Sequence, residues 1–145
     1  MQAFARILVP VDGSKHSDRA VEKAAALAQL CQSELDVLYV SYLDEDTDAK
    51  VEKISWLPDT VAGSVAKVSK AILEHVRAQI PPSVPVRMHM ETGTPAKTIA
   101  SFAERSGCDL IVVGGRGLGI VEGFLLGSVS QYLVENAKCP VLVVK

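Results

Sequence analysis

Runs of consecutive apolar residues alternate along this chain with stretches in which apolar positions recur every three or four residues. Phe4 to Val11 (FARILVPV) is the first run and predicts a strand ending at the turn Asp12-Gly13-Ser14. The next stretch predicts a helix with Ala20, Val21, Ala24, Ala28 and Cys31 on one face and Lys15, Asp18, Arg19, Glu22 and Lys23 on the other. Ser14 suits its N-cap, and His16 reads as an exposed first-turn residue. Leu35 to Val40 (LDVLYV) is a second strand. The polar segment Ser41 to Thr60 reads as a long loop, leading to a helix with Val61, Val65, Val68, Ile72 and Val76 on one face, which Pro81 and Pro82 stop. Val84 to Met90 is a third strand. Thr94 as N-cap and Pro95 at the first helical position open another helix, with Ile99, Ala100 and Ala103 inward and Gly107 as its C-cap. Leu110 to Val113 (LIVV), a helix over Val129 to Ala137 and the strand Val141 to Val144 (VLVV) complete the pattern.

Strands that are apolar along their whole length are buried on both faces, as in a parallel sheet covered by helices. The βαβαβαβαβ order therefore predicts an α/β fold, a doubly wound five-stranded parallel sheet with helices on both faces. In such sheets ligands sit outside the carboxyl ends of the strands at the topological switch point. That directs attention to Pro10 to Ser14, Val40 to Leu43, and Val113 onward.

Composition narrows the classes of function. A length of 145 residues suits one domain, residues 1–145. A net charge of −2, with Lys and Arg scattered, argues against a nucleic-acid partner, whose phosphates require clustered cations. No apolar stretch reaches the roughly 18 residues of a membrane helix. The start also lacks the layout of a signal peptide, so the expected location is cytoplasmic. Three cysteines (Cys31, Cys108 and Cys139) are too few and too scattered for a disulfide framework or a Cys-x-x-Cys metal site, and read as small buried hydrophobes. His75 and His89 stand alone in sequence, and Asp44, Glu45, Asp46 and Asp48 lack calcium-loop spacing, so no metal ligand is assigned. Trp56, in the loop before the second helix, reads as packing at the domain edge, the alternative being a cover over a bound ligand.

Six of the ten glycines (Gly114, Gly115, Gly117, Gly119, Gly123 and Gly127) fall in one connection, VVGGRGLGIVEGFLLGSVSQYL, interleaved with large apolar residues. A merely flexible loop would be polar, so this backbone is expected to approach something closely. Gly127-Ser128 then opens the last helix, whose amides and dipole favour an anion. No Gly-Lys-Ser/Thr follows, which excludes a Walker A loop, and the Rossmann fingerprint fails both in spacing and in position after the fourth strand. Asp12, Ser14 and His16 suggest a hydrolase triad, but neighbours on one strand-to-helix turn do not take up triad geometry.

The spacing Gly114-x2-Gly117-x9-Gly127-Ser128, with ILVPVDGS at the start, TGTPA at 92–96, CDLIVVGGRG at 108–117 and NAKCPVLVVK at the end, resembles the ATP-binding branch of the universal stress protein family over nearly the whole chain. The resemblance implies an adenine nucleotide alpha hydrolase-like sheet with strand order 3-2-1-4-5. It also implies ATP as ligand, with a magnesium or manganese ion carried on the phosphates and no protein ligand assigned to it. By position, Pro10 and Val11 wall the adenine, Asp12 holds the ribose hydroxyls, and Val40 meets the adenine through backbone and side chain. Val113 and Gly114 lie along the nucleoside. Gly117, Gly127, Ser128 and Val129 present amides to the phosphates, Ser128 adds its hydroxyl, and Arg116, outside the motif, is a further phosphate contact. The resemblance further implies a homodimer joined through the strand Val141 to Val144. The expected function is a nucleotide-responsive regulator of the stress response, read by a protein partner that the sequence does not name. The alternative is a slow ATPase or a phospho- or adenylyl-transferase.

Overall fold

The computed structural model describes residues 3–41, 54–58, 64–116 and 126–145. Along the chain these form β1 (Arg6–Val11), α1 (Lys15–Cys31), β2 (Glu34–Ser41), α2 (Val65–Arg77), β3 (Val86–Thr92), α3 (Pro95–Ser106), β4 (Leu110–Gly114), α4 (Ser128–Asn136) and β5 (Val141–Val144). The strands make one parallel sheet in the order β3-β2-β1-β4-β5, the expected doubly wound arrangement. The acidic residues Asp44, Glu45, Asp46 and Asp48, together with Val61, lie outside the described residues.

Alternate residues of the central strands point to opposite faces, and each face has its own core. Ile7, Val9 and Val11 pack with Ala20, Ala24 and Ala28 of α1 and with Val68, Ile72 and Val76 of α2. Leu8, Leu38, Ile111 and Val113 pack with Ile99 and Phe102 of α3 and Leu133 of α4. The inward stripe of α1 is largely alanine, so its axis can approach the sheet closely. Ser14 caps α1 by accepting the Ser17 amide at 3.1 Å. Gly107 ends α3 in the left-handed region at φ +68°, as its sequence position predicts.

The starts of β3 and α3 differ from expectation for local reasons. β3 runs two residues later than predicted, because the Val84 amide closes a turn on Pro81 (3.0 Å) and Pro85 has no amide to donate. Thr94 occupies the N-cap of α3, but its hydroxyl makes no cap bond; Pro95, with its fixed φ, sets that helix start.

Near the amino ends of the strands a buried carboxylate gathers polar partners. Asp36 is 1% exposed, and its Oδ2 accepts Nη2 of Arg6 at 2.8 Å while His89 Nε2 lies 2.8 Å from Oδ1. Cys108 Sγ points at the same carboxylate from 3.8 Å. Burial, then the Asp36 charge, push the Cys108 thiol up to about 12, so it stays protonated at neutral pH. His89, alone in sequence, is thus a partner of Asp36.

Candidate functional site at the switch point

β1 is hydrogen-bonded to β2 on one side and β4 on the other, and chain order reverses between β1 and β4. Pairing of β1 with β2 continues to Val11↔Tyr39, and that of β4 with β5 to Gly114↔Val144. Pairing of β1 with β4 is recorded only at Ile7↔Leu110 and Leu8↔Ile111. The β1–β4 ladder lapses at Pro10, which faces β4 and has no amide to donate, and the reversal of chain order between these two strands marks the crevice where doubly wound sheets take ligands.

Pro10 is in register with Leu38, so its side chain faces the α3 and α4 side of the sheet, as do those of Val40 and Val113. These three buried apolar residues share one face at the crevice. Val11, expected beside Pro10 as a second wall, is in register with Tyr39 and packs into the opposite core against α1 and α2. Only its backbone remains at the strand end. Gly114 ends β4 against α1: a Cβ built on it would lie 2.8 Å from both C and O of His16. Only a residue without a side chain lets β4 and the start of α1 come this close.

Asp12 follows β1 directly and is held by the turn it begins. Its Oδ1 accepts the Ser14 amide at 2.9 Å, and its own amide donates to Ser17 Oγ at 3.2 Å. Gly13, at φ +87°, makes the turn possible. The Tyr39 hydroxyl is pushed up by burial and by the Asp12 charge. Cations also converge here. The His16 imidazole is held below its usual range by burial and by Arg19 and Arg116, with Asp12 opposing them. His16 is half-buried rather than exposed as expected, and its Nδ1 is buried without a hydrogen-bond partner.

The glycine connection enters and leaves through a small polar clasp. The Gly115 amide donates to the Val144 carbonyl at 2.8 Å, and the Gly127 amide to the Gly115 carbonyl at 2.7 Å. Ser130 Oγ donates to the Gly115 and Gly127 carbonyls, each at 3.0 Å. The Gly127 amide, expected on a phosphate, thus closes the loop instead. Gly127 is the N-cap of α4 and offers no side-chain cap, so the first-turn amides that follow, at Ser128, Val129 and Ser130, have neither an intrahelical acceptor nor a capping oxygen. Ser128 is exposed, Val129 is half-buried against the second core, and Arg116 is exposed; Gly117 lies outside the described residues. A groove of about 360 Å3 lined by α2 and β3, including Leu73, Arg77, Met88 and Met90, contains none of these residues.

Sequence reasoning missed Tyr39, the clasp at Ser130 and the contacts of Trp56 with the Asp12 turn. The strand pattern marks Tyr39 as an interior residue and cannot show its proximity to Asp12. Ser130 reaches the Gly115 carbonyl, and Trp56 the Gly13 carbonyl, across distances in sequence for which no local signal exists.

The model of the universal stress protein family matches residues 3–145. Universal stress protein YxiE of Bacillus subtilis is 33% identical, over 98% of this chain and 99% of its own length. Universal stress protein UspA from Lactobacillus plantarum has the same fold at TM-score 0.73, with 29% identity over 97% of each chain. Two more distant solved structures show the fold. One is a universal stress protein in complex with cAMP (TM-score 0.72, 24% identity, 98% of this chain and 97% of that one). The other is a family protein from Arabidopsis thaliana with AMP bound (TM-score 0.69, 22% identity, 97% and 91%). This chain belongs to the universal stress protein family.

Proposed function

We propose that the crevice between β1 and β4 binds an adenine nucleotide, ATP in the first instance, and that the protein is a nucleotide-responsive regulator in the stress response. The observation that carries this reading is the juxtaposition in sequence and fold of two features. Chain order reverses between the central strands β1 and β4, and β4 leads through a glycine connection to a helix whose amino end has no side-chain cap. Pro10, Val40 and Val113 supply an apolar face for a base, with Gly114 beside them; Val11 contributes backbone. Asp12 supplies acceptors for ribose hydroxyls. Ser128 and Val129 offer amides to phosphates, and Arg116 and Arg19 add positive potential. Gly117 belongs to the phosphate contacts by its place in the motif, whereas Gly127, its amide given to the Gly115 carbonyl, starts the helix that carries them. The relatives with cAMP and AMP bound support an adenine nucleotide as the class of ligand. No three His, Cys, Asp or Glu side chains gather as a metal site among the described residues, so magnesium or manganese enters this reading on the phosphates alone.

Calorimetric titration of nucleotide-stripped protein with Mg-ATP tests the site. The wild type binds, and Asp12→Asn binds about ten- to a hundredfold more weakly, the loss of hydrogen bonds to a charged acceptor. The Asn carbonyl can still accept the Ser14 amide, so the melting temperature holds. Equal affinity of the two proteins for ATP would remove Asp12 from the site, and no binding by folded wild type would end the nucleotide reading.

The reading includes a cytoplasmic homodimer joined through β5. That strand is an edge of the sheet, and Leu142 is 38% exposed on it. An unpaired apolar edge favours pairing with another chain. Leu142→Glu places a charge in that interface and is expected to yield monomer by analytical ultracentrifugation where the wild type is dimeric. A variant that remains dimeric would move the interface elsewhere.

A further inference from the structure

Trp56 is the chain's single tryptophan, and its indole Nε1 donates to the Gly13 carbonyl at 3.0 Å. That carbonyl belongs to the same peptide plane as the Ser14 amide, which donates to Asp12 Oδ1 at 2.9 Å. One peptide unit is therefore held at both ends, by Trp56 on its oxygen and by Asp12 on its nitrogen. Gly13 sits at φ +87°, and glycine has the widest backbone freedom of any residue, so this plane is the joint of the turn most able to rotate. Rotation would break both bonds together and remove the amide that holds Asp12 Oδ1.

The indole is itself firmly placed. Its ring lies on the His75 imidazole of α2, with centroids 3.9 Å apart and planes 2° from parallel. His75 Nε2 is 3.1 Å from each Asp18 carboxylate oxygen, and Gln79 Nε2 donates to the same carboxylate at 3.2 Å. Ile54 fills the space under Gly13, its Cδ1 lying 2.9 Å from where a Cβ would stand.

We infer that Trp56 is a positioning residue of the nucleotide site: by locking the Gly13–Ser14 peptide it orients the Asp12 carboxylate and sets how strongly the site selects a ribose bearing both hydroxyls. This rests on the nucleotide reading above. It extends the site to α2, which carries no predicted contact residue.

The test compares ATP with 2′,3′-dideoxy-ATP by calorimetry in wild type and Trp56→Phe. Phenylalanine keeps an aromatic ring beside His75 and loses the N–H together with the second ring of the indole, a loss of packing that bears on both ligands alike. ATP affinity is expected to fall about fivefold relative to dideoxy-ATP affinity, the worth of one neutral hydrogen bond, so the preference for ATP shrinks by the same factor. General loosening would weaken both ligands alike and leave the ratio fixed. His75→Ala, which removes the platform and keeps a good helix former, is expected to compress the ratio likewise and decides the matter if Trp56→Phe does not fold. Wild type that binds ATP, with a ratio unchanged in the folded variant, overturns the role of Trp56 alone. Wild type that binds neither nucleotide overturns the nucleotide reading and this inference with it.

Discussion

Gly114→Val is expected to abolish measurable nucleotide binding and to lower stability by about 2–3 kcal/mol, toward the upper end of the overpacking range. A Cβ at this position would meet the carbonyl carbon and oxygen of His16 at 2.8 Å, closer than real Cβ contacts allow. The atoms in the way are backbone, so no rotamer change relieves the clash. Nor can α1 yield easily, since Ser14 caps it and Ala20, Ala24 and Ala28 seat it on the sheet. What must move is the end of β4 relative to the start of α1, and these flank the crevice. Backbone strain plays no part, because the left-handed glycines among the described residues are Gly13, Gly93 and Gly107. Gly107→Ala isolates that other cost. A Cβ there meets nothing within 4 Å but stands at φ +68°, so it should cost about 1–2 kcal/mol and leave nucleotide affinity intact. Urea denaturation and calorimetric titration of both variants separate the two effects. Near-wild-type ATP affinity in Gly114→Val would show that the crevice is not the site.

The parallel doubly wound sheet was legible because central strands buried on both faces leave long apolar runs, while α1, α2 and α3 carry an apolar stripe at helical spacing; the strand order followed from the family resemblance. Helix ends were readable where a side chain or a glycine acts locally, as Ser14 and Gly107 do. Thr94 shows the limit: its type permits a cap, but whether the hydroxyl turns to the amide depends on neighbours the local sequence does not specify. The start of β3 was misplaced because the apolar Val84 continues the strand pattern, while Pro85 interrupts the ladder. For the proposed site, residue type points to Asp12 and the glycine connection but says nothing of sidedness. Pro10 and Val11 are adjacent and therefore point to opposite faces, a consequence of strand geometry that a motif read as a string conceals. The Gly127 amide was assigned to a ligand because the motif marks glycines. Its bond to Gly115 depends on the two ends of the connection meeting in space.

The second large effect lies at the opposite end of the sheet and should leave the site untouched. Asp36→Ala is expected to cost about 3–5 kcal/mol, the penalty for removing one partner of a buried ion pair. The carboxylate is 1% exposed, and its removal leaves Arg6 and His89 without the acceptor they share. Arg6, with its side chain 26% exposed, also donates through Nη1 to the Ser106 carbonyl, and its buried Nε has no partner, so loss of Asp36 leaves a poorly solvated guanidinium. His89 loses its bond while still packed on Phe102, with ring centroids 4.7 Å apart. Asp36→Asn retains an acceptor for one of the two partners and should cost less. The neighbouring pair Arg87–Glu34 gives the contrast: its side chains are 57% and 50% exposed. Glu34→Ala should therefore change stability by less than about 1 kcal/mol, since water already screens that pair. Urea denaturation of the three variants orders them, and an Asp36→Ala cost as small as that of Glu34→Ala would mean that Arg6 and His89 find other partners. Asp36 belongs to the amino-terminal half of β2 and the crevice to the carboxyl ends of the strands. The folded fraction of Asp36→Ala should accordingly bind ATP with wild-type affinity, so that a loss of stability and a loss of site can be told apart in one protein.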